Sequence, residues 1–172
     1  MRLTALFLAV LLCASGGASA QVATPTAEQM VQQLKTPPRL RSLRNLAVEA
    51  TGGAQAQAPE RPSLSLLIQF DFNSARVRPQ SQQALLNLSQ ALLTPELASS
   101  RFAVEGHTDA KGNEDYNLKL SAQRAQAVAD FLKARGVTEE RLVAAGKGAT
   151  ELANSESPYA PENRRVRIVN LN

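Results

Sequence analysis

From residue 63 to the C-terminus the apolar side chains switch back and forth between a two-residue period and a helical one. That alternation constrains the fold more than any other feature of the chain. "SLSLLIQFDF" (63–72) puts Leu64, Leu66, Ile68 and Phe70 on one face and Leu67 on the other, which predicts a strand. Pro79 suits the first turn of a helix, and Leu85, Leu88 and Leu92 repeat at helical spacing until Thr94-Pro95 stops them. "RFAVEGH" (101–107) predicts a second strand, with Phe102 and Val104 on one face. A second helix should begin between Asn113 and Asn117. It is carried by Leu118, Ala122, Ala125, Val128, Ala129 and Leu132, and Gly136 ends it as a left-handed cap. Thr138 is placed to cap a single turn over Glu139 and Glu140 before a third strand, "RLVAAGKG". A polar loop with Pro158 and Pro161 leads to a fourth, "RRVRIVNL". The order is β-α-β-α-β-β. An α+β fold, one mixed sheet with two main helices packed on one face, buries the apolar residues of that set. Helix-bearing connections predict parallel pairing of the first strands.

The segment before this domain (63–172) reads differently. Arg2, an apolar run from Leu3 to Leu12 and the small residues Ala18-Ser19-Ala20 have the layout of a secretory signal peptide over 1–20, cleaved after Ala20. A lipoprotein signal built on Cys13 is the weaker alternative, because the bulky Leu12 directly precedes that cysteine. Residues 21–62 are expected to be an N-terminal arm and flexible linker with one possible short helix. There Thr26-Ala27-Glu28-Gln29 has the form of a capping box, and Met30, Val31 and Leu34 follow. Lys35, Arg39, Arg41 and Arg44 then come with no acid among them, and "TGGAQAQAPERP" reads as linker. This basic stretch is either a solvated arm or a contact for something anionic, such as lipid headgroups or an outer-membrane or envelope protein.

Removing 20 of the 172 residues takes away the single cysteine, so the remaining chain has no thiol chemistry. It leaves 18 basic against 15 acidic residues, a balance that by itself identifies no partner. No later apolar run is long enough for a transmembrane helix, which leaves the periplasm as the expected compartment. His107 is the only histidine, so a multi-histidine metal site and a Ser-His-Asp relay in "SPYAPENRR" are both excluded. His107 itself is read as structural, at a strand end. "GKGAT" lacks the leading glycine of a phosphate loop. Five Phe and two Tyr give little support to nucleic-acid binding by base stacking. No cofactor and no catalytic set is expected.

Two charges have no evident role in folding. Asp109 follows the second strand directly and so sits on the rim of the sheet, while Asn117, Ser121 and Arg124 form one stripe of the following helix. Helical side chains lean toward the N-terminus, which turns Arg124 back toward the loop of Asp109. A plain salt bridge tying loop to helix fits this pattern. So does a receptor for a zwitterion, with a carboxylate for an ammonium and a guanidinium for a carboxylate, edged by Thr108 and Asn117.

"GHTDAKGNEDYNLKLSAQRAQAV", "ENRRVRI" and "FDFNSA" together resemble the OmpA-like peptidoglycan-binding domain family, over about residues 64–171. The resemblance implies a periplasmic domain of the same β-α-β-α-β-β order that holds the cell wall non-covalently, without catalysis. Its implied ligand is the diaminopimelate residue of the peptidoglycan stem peptide. Asp109 would take the ammonium and Arg124 the carboxylate, with Asn117 and Arg164 at further positions lining the site. Asn73 stands where the family's first-strand motif usually has aspartate, which removes a negative charge there. The alternative is a protein-interaction or assembly module of the envelope that keeps the fold without wall binding.

Overall fold

The computed structural model describes residues 24–35 and 61–172. The expected signal peptide and basic stretch therefore lie outside the described residues, apart from Lys35. Seven main elements follow in order: α1 (Ala27–Leu34), β1 (Ser63–Leu66), α2 (Pro79–Leu92), β2 (Phe102–His107), α3 (Glu114–Lys133), β3 (Leu142–Gly148) and β4 (Val166–Asn170). From β1 onward this is the expected β-α-β-α-β-β order. Short 3₁₀ turns at Glu139–Arg141 and Pro161–Asn163 precede the last two strands.

The sheet order is β1-β4-β2-β3. β2 and β3 pair in parallel, whereas β4 is antiparallel to both β1 and β2. The expected pairing of the first strands is corrected here: the C-terminal strand inserts between β1 and β2. Apolar periodicity says that a strand has a buried face, and it carries no information about which neighbours supply its ladder. The first strand is also shorter than its apolar run. Ladder pairing stops at Leu66, and the chain turns back through residues 69–78, where Phe70 and Val77 form an isolated antiparallel bridge.

One face of the sheet carries Leu64, Leu66, Phe102, Val104, Val166 and Ile168, and these pack with Leu85, Leu88 and Leu92 of α2 and Ala125, Val128 and Leu132 of α3 in a single core. Leu118 and Ala122, expected on the buried stripe of α3, are exposed, and Leu120 is buried in their place. The cause lies in two glycines. Gly106 and Gly146 are direct partners on β2 and β3. A side chain on Gly106 would run into the Ser121 backbone, and one on Gly146 would lie 2.6 Å from the Ala122 nitrogen and 2.7 Å from the Leu118 oxygen. The first half of α3 therefore touches the sheet with its own backbone. Fully buried Ser121 seals the contact: its hydroxyl accepts from the Gly148 N–H (2.9 Å) and donates to the Leu118 carbonyl (2.8 Å).

The termini of the helices follow the sequence closely. Thr26 and Gln29 close the capping box on α1 (2.9 and 3.3 Å), Pro79 opens α2, and Gly136 adopts φ 98° after α3. Thr138 precedes its single turn but makes no side-chain cap. Arg141 secures the α2–β2 connection by donating to the carbonyls of Leu92, Leu97 and Ser100 at 2.7–2.9 Å.

α1 belongs to the core, which corrects its expected place in an arm apart from the domain. Met30 and Leu34 are wholly buried and Val31 nearly so, within the same cluster as α2 and β1. Asn87 and Asn170 donate to the carbonyls of Pro25 (2.9 Å) and Leu34 (2.8 Å), holding the two ends of this segment.

Candidate functional site

Asp109 and Arg124 line one open cleft of about 540 Å³, together with Thr108, Asn117, Arg164 and Asn73. All six residues singled out in the sequence thus meet in one place. Phe70, Asp71, Phe72, Lys111, Tyr116 and Leu120 complete the lining.

Each wall has a local reason for its position. The loop after β2 is tied down by backbone bonds from Thr108 to Gly148 (2.8 Å) and from Ala110 to Pro158 (3.0 Å). Asn113 caps α3 by accepting from the Tyr116 N–H (3.1 Å). Asn117 is buried, and its amide nitrogen donates to the carbonyls of Lys111 (3.0 Å) and Asp109 (3.4 Å), so its first task is to shape this loop. Ser121, expected on the same stripe, faces the sheet instead, and only Asn117 and Arg124 of that stripe reach the cleft. Thr108 lines the cleft, and its hydroxyl oxygen is buried with no hydrogen-bond partner among the described residues.

The acid and the arginine are not paired with each other. Asp109 accepts from Arg164 Nη1 at 2.6 Å through Oδ2 and from the Lys111 N–H at 3.3 Å through Oδ1. Arg124 donates Nε to the Ser74 carbonyl (3.1 Å) and lies over the Phe70 ring, 4.9 Å from its centroid. Its Nη groups have no partner among the described residues. Burial pushes the Arg124 pKa below its ordinary value; Arg164 acts in the same direction, while Tyr116 and Asp109 oppose it. A guanidinium stays charged through such a shift. The cleft therefore offers a fixed cation with a free fork, and a carboxylate with lone pairs to spare.

Asn73 sits at the tip of the 69–78 turn with φ 52°, a left-handed conformation that asparagine and aspartate tolerate better than most side chains. Beside it Phe72 is 99% exposed.

Sequence reasoning missed several supporting residues. Arg164 was placed at the site, but its ion pair with Asp109 spans 55 positions and no local pattern announces it. The two-residue period puts Phe70 on a strand face, whereas its ring supports the Arg124 guanidinium. Asn163 is wholly buried and organises the 154–158 loop, accepting from Asn154 N–H and donating to the carbonyls of Asn154, Ser157 and Pro158. That loop in turn accepts from Ala110, next to Asp109.

On the other face of the sheet, Glu105 lies near Lys147 (3.6 Å) and Arg167 (4.0 Å), and Glu151 pairs with the same two cations at 2.9 and 3.5 Å. His107 is buried beside them, with neither ring nitrogen hydrogen-bonded among the described residues. Its pKa falls to about 4, chiefly from burial and then from Arg165, with smaller contributions from Arg167 and Lys147 opposed by Glu151. This face is separate from the cleft.

A four-stranded mixed sheet backed by helices, with a charged cleft at the β2–α3 corner, defines the chain as an α+β domain. The chain belongs to the OmpA family, whose pattern matches residues 69–167. It is 40% identical over 82 residues to outer membrane protein A of Klebsiella aerogenes, covering 48% of this chain and 23% of that protein. It is 36% identical over 104 residues to the peptidoglycan-binding protein ArfA of Mycobacterium bovis, covering 59% of this chain and 31% of the relative. The matches thus span about a quarter to a third of these relatives. The solved cell wall anchor of the T6SS from Pseudomonas aeruginosa superposes with a TM-score of 0.53 at 33% identity, covering 67% of this chain and 85% of that one. No helix among the described residues is long and apolar enough to cross a membrane.

Proposed function

We propose that this protein binds peptidoglycan non-covalently through the diaminopimelate residue of the stem peptide, and so attaches itself to the cell wall. The observation that carries the proposal is that Asp109 and Arg124 line the same open cleft while each is held by other groups. Two opposite charges kept apart over a cavity are suited to the ammonium and carboxylate of an α-amino acid centre. The ammonium docks on Asp109, which keeps its bond from Arg164. The ligand carboxylate docks on the free fork of Arg124. Asn117 and the Thr108 backbone set the loop that aims Asp109, and Asn73 forms part of the opposite lip. Relatives whose names record peptidoglycan binding or wall anchoring support the same ligand class.

Each charge-assisted hydrogen bond contributes roughly 1.5–3 kcal/mol, so one site binds weakly. The wall repeats its stem peptide many times, and rebinding at high local concentration retains the protein while the polymer is remodelled. The function is binding, without catalysis. It places the protein in the periplasm, exported by a leader removed after Ala20, with the basic stretch after Lys35 available to an anionic envelope partner.

Co-sedimentation with purified sacculi tests the assignment. Asp109→Asn and Arg124→Gln should each reduce retention by about tenfold or more, the equivalent of one lost charge-assisted bond. Retention equal to wild type in both folded variants would remove the cleft from consideration and favour an envelope assembly module of the same fold.

A further inference from the structure

The cleft is not the only cavity at this corner. Behind Arg124 lies a second one, of about 340 Å³, lined by Leu67, Ile68, Gln69, Phe70, Arg78, Arg124, Pro161 and Arg164. Phe70, Arg124 and Arg164 line both cavities, so they form the partition between them. Among the described residues, three arginines line the second cavity and no carboxylate does. Arg78 gives only its Nε to Asp71 (3.4 Å), and its Nη groups are without a partner among the described residues. Arg78 is also the N-cap of the fourteen-residue α2, and its side chain makes no cap hydrogen bond among the described residues.

Charge balance sharpens the point. Across the two linings, Arg78, Arg124, Arg164 and Lys111 stand against Asp71 and Asp109. A zwitterionic centre in the cleft adds no net charge and leaves this excess of cations in place. We infer that the Arg78–Arg124–Arg164 cavity is a second subsite, which takes a carboxylate from a residue next to diaminopimelate in the same stem peptide. This rests on the diaminopimelate reading of the cleft and extends it. Two carboxylates flank the diaminopimelate residue along the peptide: the free α-carboxylate of the γ-linked glutamate before it, and the terminal carboxylate of an alanine after it. The subsite makes Arg78 a specificity residue that distinguishes acidic from amidated stem peptides.

NMR titration of the full chain tests it with five probes: free meso-diaminopimelate, the tripeptide L-Ala-γ-D-Glu-meso-diaminopimelate, its isoglutamine form, the tetrapeptide ending in D-Ala, and that tetrapeptide's C-terminal amide. Wild type should bind one acid about 3- to 5-fold more tightly than its amide, the range for a partly exposed ion pair. Whichever amidation weakens binding identifies the carboxylate. Arg78→Gln should abolish the difference and leave free diaminopimelate binding as it was. Asp71→Asn breaks the same surface ion pair but keeps the guanidinium, and should retain the discrimination. The subsite is overturned if both amides bind as well as their acids while free diaminopimelate still binds, an outcome that leaves the cleft assignment intact. It is equally overturned if Asp71→Asn abolishes the difference as Arg78→Gln does, which would mean that Arg78 merely holds the 69–78 turn. Failure of all five probes to bind wild type removes the cleft assignment and the subsite with it.

Discussion

Gly106→Ala tests the structural premise of the site most directly. A methyl at this position would overlap the Ser121 carbonyl oxygen and lie 2.9 Å from its carbon and 3.3 Å from its Cα. Real Cβ atoms need more room than this against backbone, and neither partner can yield cheaply. β2 is held on both sides by β4 and β3, and α3 is anchored by the Ser121–Gly148 bond and by Ala125, Val128 and Leu132 in the core. Overpacking of this kind costs about 1–3 kcal/mol, and a rigid backbone neighbour places it at the upper end, about 3 kcal/mol. With a urea m-value of roughly 2 kcal/mol/M for a domain of this size, the unfolding midpoint should fall by about 1.5 M. Urea titration followed by far-UV circular dichroism measures this. Relief of the clash also tilts the first half of α3 away from the sheet and carries Arg124 with it, so wall retention should drop even under conditions where the variant is folded. A midpoint within about 0.3 M of wild type would refute the backbone contact between α3 and the sheet as the element that positions the arginine.

Two further outcomes follow from buried groups. Leu34→Ala should destabilise the domain by about 2–5 kcal/mol in the same cooperative transition, because Leu34 is wholly buried in the common core; a separate early transition would show α1 to be an independent segment. His107 has a folded pKa of about 4, below its unfolded 6.5, so the unfolded chain binds the extra proton between those values. Its contribution is complete above about pH 6.5 and is lost as pH falls toward 4, a total of about 3 kcal/mol at most. Urea midpoints for wild type and His107→Gln between pH 7 and 5 check this: the variant should show the shallower slope, and equal slopes would mean that the imidazole is not what titrates.

A feature of this fold is legible in the sequence when it is local. Thr26 with Gln29, Pro79 and Gly136 act on their own helix termini, and each did what the sequence predicts. The positions of Asp109 and Arg124 relative to strand end and helix stripe also follow from short-range geometry, which is why they meet at one cleft. Leu118 and Ala122 depart from the buried stripe because hydrophobic period assumes that a helix packs through its side chains, whereas Gly106 and Gly146 let α3 pack through its backbone. Met30, Val31 and Leu34 show the reverse case: the amphipathic face was visible, but nothing in the intervening residues says that it docks.

The order of the elements, their caps and the presence of two opposite charges near one corner are properties of neighbouring residues, so the sequence alone determines them. Insertion of β4 between β1 and β2, the Arg164 clamp on Asp109 and the cavity behind Arg124 join residues tens of positions apart. Such contacts are chosen by the total apolar area and hydrogen bonding of the assembled sheet. They exist only once every element has packed, and only the tertiary structure could decide them.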